Sequence, residues 1–190
     1  MHEKERIIEE YEISPYTMAI FPMLYGSKVY SEILEVENQF ISPFKPLDIV
    51  KKSCQYFGAS YEGRKRGTQY LIGVTHKSPI IVDPFTSIFL LPTTSPINPD
   101  CIWISHDHVS QHDKSPSGNT LVTFRNKQTI EIPISRSSFV NQLQRTAQLR
   151  MRFYQNMENI ESKYKKSGFY LHMEASERKR EYDIKRYIEE

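Results

Sequence analysis

A chain of 190 residues with a net charge of +2 and 23 aromatic residues is long enough for one domain with a real core, alone or with an appendage. Its longest apolar runs, residues 79–82 and 88–91, are too short to span a bilayer, and no apolar signal segment follows the N-terminus, so we expect neither a membrane protein nor a secreted one. Its two cysteines, Cys54 and Cys101, do not require an oxidising compartment, and we expect core cysteines in a cytoplasmic protein.

Positive charge is concentrated in two parts of the chain. Residues 51–82 contain six Lys or Arg against one acidic residue, and residues 136–166 contain seven against two, so each block has a net charge of +5. Residues 1–50 contain four Lys or Arg against nine Asp or Glu, which gives a net charge of −5. If the two basic blocks converge in the fold, they form one positive face that concentrates and steers a polyanion.

The first half of the chain predicts two strands followed by a helix. Residues 17–24 and 28–37 are rich in β-branched and aromatic residues and are bounded by breakers such as Gly26. Pro46 suits the first position of a helix over residues 46–57. Apolar residues recur in that helix at spacings of three and four and predict one buried face: Leu47, Val50, Cys54 and Phe57.

Three consecutive cations between two glycines follow this helix: Gly63-Arg64-Lys65-Arg66-Gly67. Glycine lets the backbone turn sharply, and three adjacent cations gain more from a polyanion than from a protein core. We therefore expect a narrow basic turn that reaches phosphates and the floor of a DNA minor groove. A solvated charged turn with no partner is the alternative.

The second half predicts short strands, one hairpin and a long helix. Strands are expected at residues 70–74, 79–82, 87–91 and 101–109, with a hairpin formed by residues 121–124 and 129–132. Ser137 or Ser138 is expected to cap a helix near residues 137–157. Helical spacing predicts its packing stripe: Val140, Leu143, Ala147, Met151 and Tyr154.

Together these elements predict an α+β domain over residues 1–166 and a charged C-terminal appendage over residues 167–190. The domain contains a small, mostly antiparallel β-sheet or partial barrel, a short helix near 46–57 and a long helix near 137–157. A helix-turn-helix is not favoured, because no second helix is predicted within a short turn of the first.

His106, His108 and His112 form the one cluster typical of a metal site. On a strand, His106 and His108 point to the same face, as two ligands of one ion must, so a zinc-dependent hydrolase is one alternative function. Nucleophile and nucleotide-binding motifs are absent, and we expect no enzyme and no cofactor. A scaffold that binds a protein through the aromatic segment after Gly168 is a further alternative.

Several ordered blocks of the chain resemble the competence transcription factor family of Gram-positive bacteria (ComK). They cover roughly residues 11–155. The blocks are Lys45-Pro46-Leu47, Tyr56-Phe57-Gly58, Gly63-Arg64-Lys65-Arg66-Gly67-Thr68, His76-Lys77-Ser78-Pro79-Ile80, Ile88-Phe89-Leu90-Leu91-Pro92, Trp103-Ile104-Ser105-His106-Asp107-His108 and Ser138-Phe139-Val140-Asn141-Gln142.

The resemblance implies a DNA-binding transcriptional activator of competence genes that recognises paired AT-rich boxes, largely through the minor groove. It also implies a homodimer, or a dimer of dimers on DNA, that works with RNA polymerase at the nucleoid. The cations expected to contact DNA are Arg64, Lys65, Arg66, Lys51, Lys52, Lys77, Arg145, Arg150 and Arg152. The appendage would serve regulation or oligomerisation, and its residues Phe169, Tyr170 and Leu171 are similar to a family motif that binds a proteolysis adaptor.

Overall fold

The computed structural model describes residues 6–166, which divide after Arg150 into two compact units. In chain order the elements are β1 (Arg6–Ile7), β2 (Thr17–Tyr25), β3 (Lys28–Glu35), β4 (Gln39–Ser42), α1 (Pro46–Tyr56), α2 (Tyr61–Ile72), β5 (Ile80–Asp83), β6 (Ile88–Pro92), β7 (Trp103–Ser105), a short 3-10 helix (His106–His108), β8 (Val109–Lys114), β9 (Thr120–Phe124), β10 (Thr129–Ile132) and α3 (Arg136–Lys166). The predicted domain boundary between residues 166 and 167 stays a prediction.

Two open sheets make up the β structure of the first unit. The larger has the strand order β1-β4-β3-β2-β7-β6-β5, and the smaller has the order β10-β9-β8. Every pairing is antiparallel except that of β1 with β4. The α+β prediction is therefore confirmed, the hairpin of β9 and β10 included, and neither sheet of the described residues closes into a barrel.

One face of the seven-stranded sheet is covered by α1 and α2. The predicted stripe of α1 packs here: Val50 and Cys54 are fully buried, and Leu47 and Phe57 are partly buried. The helix predicted near residues 46–57 is thus confirmed. Tyr61 at the start of α2 meets Trp103 edge-on, with ring centroids 6.4 Å apart. Aromatic rings supply much of the buried area of this layer, as the composition predicts.

The other face of that sheet packs against the three-stranded sheet and the start of α3. Phe124 and Phe139 are fully buried in this layer. The predicted stripe of α3 is wrong at Ala147 and Met151, which are exposed, whereas Leu143 packs against this layer as predicted. The buried face instead consists of Phe139, Gln142, Thr146 and Leu149.

Polar side chains explain this difference in α3. The Gln142 amide donates to the carbonyl oxygens of Lys77, at 3.0 Å, and Pro92, at 2.6 Å, and the Thr146 hydroxyl donates to the Gln142 carbonyl oxygen at 2.7 Å. Hydrogen-bonded polar groups can be buried at little cost. The spacing of apolar residues in the sequence does not reveal buried polar residues of this kind.

Three local predictions are corrected. In the segment predicted as a strand at 70–74, residues 70–72 form the end of α2 and Gly73 is its C-cap. The predicted strand at 101–109 is interrupted by the 3-10 helix at His106–His108. The hydroxyl of Ser135, rather than that of Ser137 or Ser138, accepts from the Ser138 amide at 3.3 Å and caps α3.

Strand direction determines which loops share an end of the large sheet. Because β2, β7, β6 and β5 alternate in direction, the tip of the β2–β3 hairpin lies at the same end as the start of β5 and the start of β7. We call this the hairpin end. The β5–β6 turn lies at the opposite end. No helix in the described part of the chain has the length and apolar character that a bilayer crossing requires.

Candidate nucleic-acid interface

The basic run is helical, which corrects the prediction of a narrow turn. Ser60 precedes α2 and its hydroxyl accepts from the Gly63 amide at 3.0 Å, while Glu62 lies in the positively polarised first turn. Gly73 ends the helix with φ +71°. Both glycines of the basic run therefore lie inside α2, where Gly67 has no neighbouring atom within 4 Å of the position that a Cβ would occupy.

This conformation changes what the basic run can reach. An α-helix with its side chains is about 10–12 Å across, whereas the minor groove of B-DNA is about 6 Å wide. Helix α2 is therefore too broad to enter that groove as the predicted narrow turn would. The conformation of α2 therefore does not support insertion of the basic run into the floor of a minor groove.

The three cations of the run point in different directions. Lys65 and Arg66 are exposed, but Arg64 is half-buried against β5, where its guanidinium donates to the Val82 carbonyl oxygen at 3.4 Å. Arg64 also acts electrostatically on Asp83 at the end of β5. Arg64 thus helps to attach α2 to the sheet.

Asp83 anchors the turn between β5 and β6. Its carboxylate accepts from the backbone amides of Phe85 and Thr86. Burial raises the pKa of Asp83, but the hydrogen bonds from Thr86 and Phe85, with a smaller contribution from Arg64, hold that pKa below its ordinary value. The carboxylate is therefore charged at neutral pH and offsets the Arg64 guanidinium locally.

A cleft of about 290 Å³ brings three of the predicted cations together. Lys51 comes from α1, Lys65 from α2, and Lys77 from the loop between α2 and β5. His76 also lines this cleft, and Glu62 is its acidic residue. We call it the lysine cleft. Three lysines from three elements that line one cleft favour a positive potential there, which attracts a polyanion.

Helix α3 joins the second basic block to the lysine cleft. The Arg145 guanidinium donates to the carbonyl oxygen of His76 at 3.4 Å and to the side-chain oxygen of Gln142 at 3.3 Å. Gln142 in turn donates to the carbonyl oxygen of Lys77. The loop that carries His76 and Lys77 is thus held by α3, and Arg145 lies beside it.

The remaining predicted cations lie outside the cleft lining. The Lys52 ammonium sits 3.5 Å from the Phe44 ring centroid. Arg150 forms an ion pair with Asp107 and lies 5.7 Å from the Phe89 ring centroid. Arg152 is exposed in the second unit.

The histidine cluster does not form the metal site that the alternative function, a zinc-dependent hydrolase, would require. His106 and His108 lie in a 3-10 helix and not on one strand face, and His108 contacts the Pro15 carbonyl oxygen at 2.7 Å. The His112 ring instead packs edge-on against Phe139. Residues 6–166 contain no group of three or more His, Cys, Asp or Glu side chains arranged to hold a metal ion.

Four residues separate the end of α1 at Tyr56 from the start of α2 at Tyr61, so a second helix does follow the first across a short turn. The turn contains Gly58 at φ +72°. The expectation that no second helix follows was therefore wrong. It arose because the glycines in the basic run suggested a loop. The adaptor motif at Phe169, Tyr170 and Leu171 lies outside the described residues.

Sequence reasoning also missed two exposed apolar residues at the hairpin end. Leu24 lies next to the turn of the β2–β3 hairpin and Ile97 lies in the loop before β7, with 79% and 87% of their surfaces exposed. The Gly26 turn signal was visible in the sequence, but the exposure of its neighbours depends on how far the hairpin extends past the sheet.

Comparisons with known proteins identify the family of the chain. The family model described as ComK protein matches residues 8–158. The "Competence transcription factor" of Bacillus subtilis (strain 168) is 42% identical over 177 residues, which cover 93% of this chain and 91% of that protein. No solved structure matches. The chain therefore belongs to the ComK family and is a transcription regulator rather than an enzyme.

Proposed function

We propose that the protein activates competence genes by binding AT-rich double-stranded DNA, with the lysine cleft holding the phosphate backbone. The observation that supports this is the convergence of Lys51, Lys65 and Lys77 from three separate elements on one cleft. Phosphate contacts of this kind supply much of the affinity of protein–DNA complexes and fix their register.

Two further arginines belong to this surface in our proposal. Arg66 is exposed on α2, next in sequence to Lys65. Arg145 lies beside the loop of Lys77. Arg64 acts by attaching α2 to β5, and DNA contacts by Lys52, Arg150 and Arg152 stay predictions.

Salt dependence tests the lysine cleft. Replacing Lys51, Lys65 and Lys77 by Ala removes three cations, so the slope of log K against log salt should flatten by about one for each lost phosphate contact. The matched control removes three exposed cations from the three-stranded sheet: Lys114, Arg125 and Lys127. The same slope for the cleft variant and the wild type would exclude phosphate binding at the cleft.

We propose that base-pair recognition occurs in the minor groove. The minor groove of A-tracts is narrow and electronegative, which favours cations at its edges. Replacing A·T by I·C pairs keeps the minor-groove pattern and changes the major-groove pattern. Binding should therefore survive this replacement, and loss of binding would indicate major-groove recognition.

The assembly proposed for activation is a homodimer, paired on DNA, that acts with RNA polymerase in the cytoplasm at the nucleoid. Linking two modules raises affinity through effective concentration, which suits a single module of this size. Analytical ultracentrifugation with and without a two-box duplex tests this stoichiometry. A monomer on each duplex would contradict it.

A further inference from the structure

Binding in the minor groove needs an element slimmer than α2. The β2–β3 hairpin provides one, because β2 pairs with β7 at Ala19 and Ile20, and β3 pairs with β4 from Ser31 onward. Residues 21–30 therefore extend past both neighbouring strand pairings as a two-stranded hairpin, which we call the ribbon. Only its base is packed, where Phe21 contacts the layer of the three-stranded sheet. Ribbons of this kind bind DNA grooves in several protein families.

The ribbon is held stiff up to its tip. Strand pairing continues to Tyr25 and Lys28, and the connecting turn has two residues, with Gly26 at φ +61°. The rings of Tyr25 and Tyr30 stack on one side, with centroids 4.9 Å apart and planes inclined by 23°. A preorganised element loses little conformational freedom when it binds.

The opposite side of the ribbon carries Leu24. Side chains alternate along a strand, so Leu24 lies on the same face as Ile20, which packs in the layer of α1 and α2. Its strand partner is Val29. With 79% of its surface exposed, Leu24 is an apolar side chain at the end of a projection and contributes little to the protein core.

A continuous surface connects the ribbon to the lysine cleft. Val29 lines a hollow of about 390 Å³ together with residues of α1 and of the loop before β7. That hollow shares Leu47, Pro96 and Ile97 with the lysine cleft. The ribbon and the cleft are thus adjacent at the hairpin end of the sheet.

Charge favours DNA over a second copy of the chain as the partner of this surface. Four lysines line its two hollows against two carboxylates, those of Asp48 and Glu62: Lys45, Lys51, Lys65 and Lys77. A two-fold contact between two such surfaces would bring like charges together, whereas a polyanion neutralises them.

Phe85, the most exposed large apolar side chain among the described residues, is poorly placed for this role. Phe85 is 95% exposed, but its turn lies at the opposite end of the sheet from the lysine cleft. Its neighbour Asp83 carries a negative charge, and the Ser87 hydroxyl in the same turn donates to Asp107 at 3.1 Å. Phe85 therefore serves as a control residue.

We propose that Leu24 enters the minor groove of AT-rich DNA as an apolar wedge between base pairs, while the lysine cleft holds the flanking phosphates. Minor-groove proteins use leucine and similar side chains in this way and unstack the step that they enter. This inference rests on the proposed function and adds to it the element that reaches the bases.

The test compares Leu24→Ala with Phe85→Ala on one AT-rich duplex that carries 2-aminopurine in the box. We expect Leu24→Ala to weaken binding about 10-fold, from the apolar surface that DNA no longer buries, with the salt slope unchanged because no charge is lost. Phe85→Ala should leave affinity unchanged. Wild-type binding should raise 2-aminopurine fluorescence through unstacking, and Leu24→Ala should remove that rise.

Each other outcome overturns the inference in a recognisable way. Unchanged affinity of Leu24→Ala, together with weaker binding by the lysine-cleft variant, removes the wedge and keeps the proposed function. No rise in fluorescence with the wild type also removes the wedge. If Leu24→Ala loses self-association, measured by sedimentation, as well as DNA affinity, the ribbon binds a second copy of the chain rather than DNA. Failure of the wild type to bind DNA at all refutes the proposed function itself.

Discussion

Replacing Gln142 by Met tests the hydrogen bonds that attach α3 to the lysine cleft. Gln142 is 3% exposed, and its amide donates to the carbonyl oxygens of Lys77 and Pro92. Methionine has nearly the same volume, so it leaves little cavity and chiefly removes the donor. A buried carbonyl that loses its partner costs about 1–3 kcal/mol. Pro92 is buried and Lys77 is exposed, so we expect a total loss of about 3 kcal/mol.

Urea denaturation and thermal melting measure this loss. For a domain of this size, 1 kcal/mol shifts Tm by about 2–4 °C, so Gln142→Met should lower Tm by about 6–12 °C. The control Gln144→Met changes an exposed position of the same helix and should stay within about 0.5 kcal/mol of the wild type. Equal stability of the two variants would refute the assignment of Gln142 as the structural link.

Two further predictions concern α2 and the 3-10 helix. Gly67→Ala should raise the free energy of unfolding by about 1 kcal/mol, because alanine favours the helix and its Cβ meets no atom within 4 Å; lower stability in urea would contradict the helical assignment. Burial lowers the pKa of His106, outweighing the attraction of Asp107, so the unfolded chain takes up a proton at a higher pH than the folded one. Stability should therefore fall as pH drops below about 6.5, and His106→Gln should flatten that dependence; an unchanged pH profile in the variant would reject the role of His106.

In our proposal, the corrected conformation of α2 separates two tasks, phosphate binding and groove insertion, that the sequence-based prediction assigned to one segment. Lys65 and Arg66 on a broad helix suit phosphates along the edge of a groove. Leu24 on a narrow ribbon suits the groove itself. The two elements meet at the hairpin end because β2 and β5 belong to the same sheet.

Short-range patterns predicted much of the fold. Pro46 and the apolar spacing in α1 predicted that helix, and alternating residues around a short turn predicted the β9–β10 hairpin. The same approach failed at Gly63 and Gly67, which suggested a turn. Ser60 caps the helix there, and Tyr61 packs on Trp103, so local and tertiary contacts outweigh the low helix propensity of glycine.

The sequence predicted which cations belong to the candidate site, but it predicted only partly where they lie in the fold. Lys51, Lys65 and Lys77 were expected to contact DNA, but nothing in the sequence indicated that they line one cleft. Gln142 was invisible to hydrophobic periodicity, since its burial depends on two carbonyl groups that are 65 and 50 residues away in the chain.

By itself the sequence determined the α+β class, the family, the two basic blocks and most element positions, because periodicity, capping and charge act over a few residues. Only the tertiary structure decided that α2 is a helix packed on β5, that three lysines from separate elements share a cleft, and that Leu24 projects beside it. These outcomes depend on which strands pair and in which register. Such pairings join residues far apart in the chain, and no local pattern specifies them.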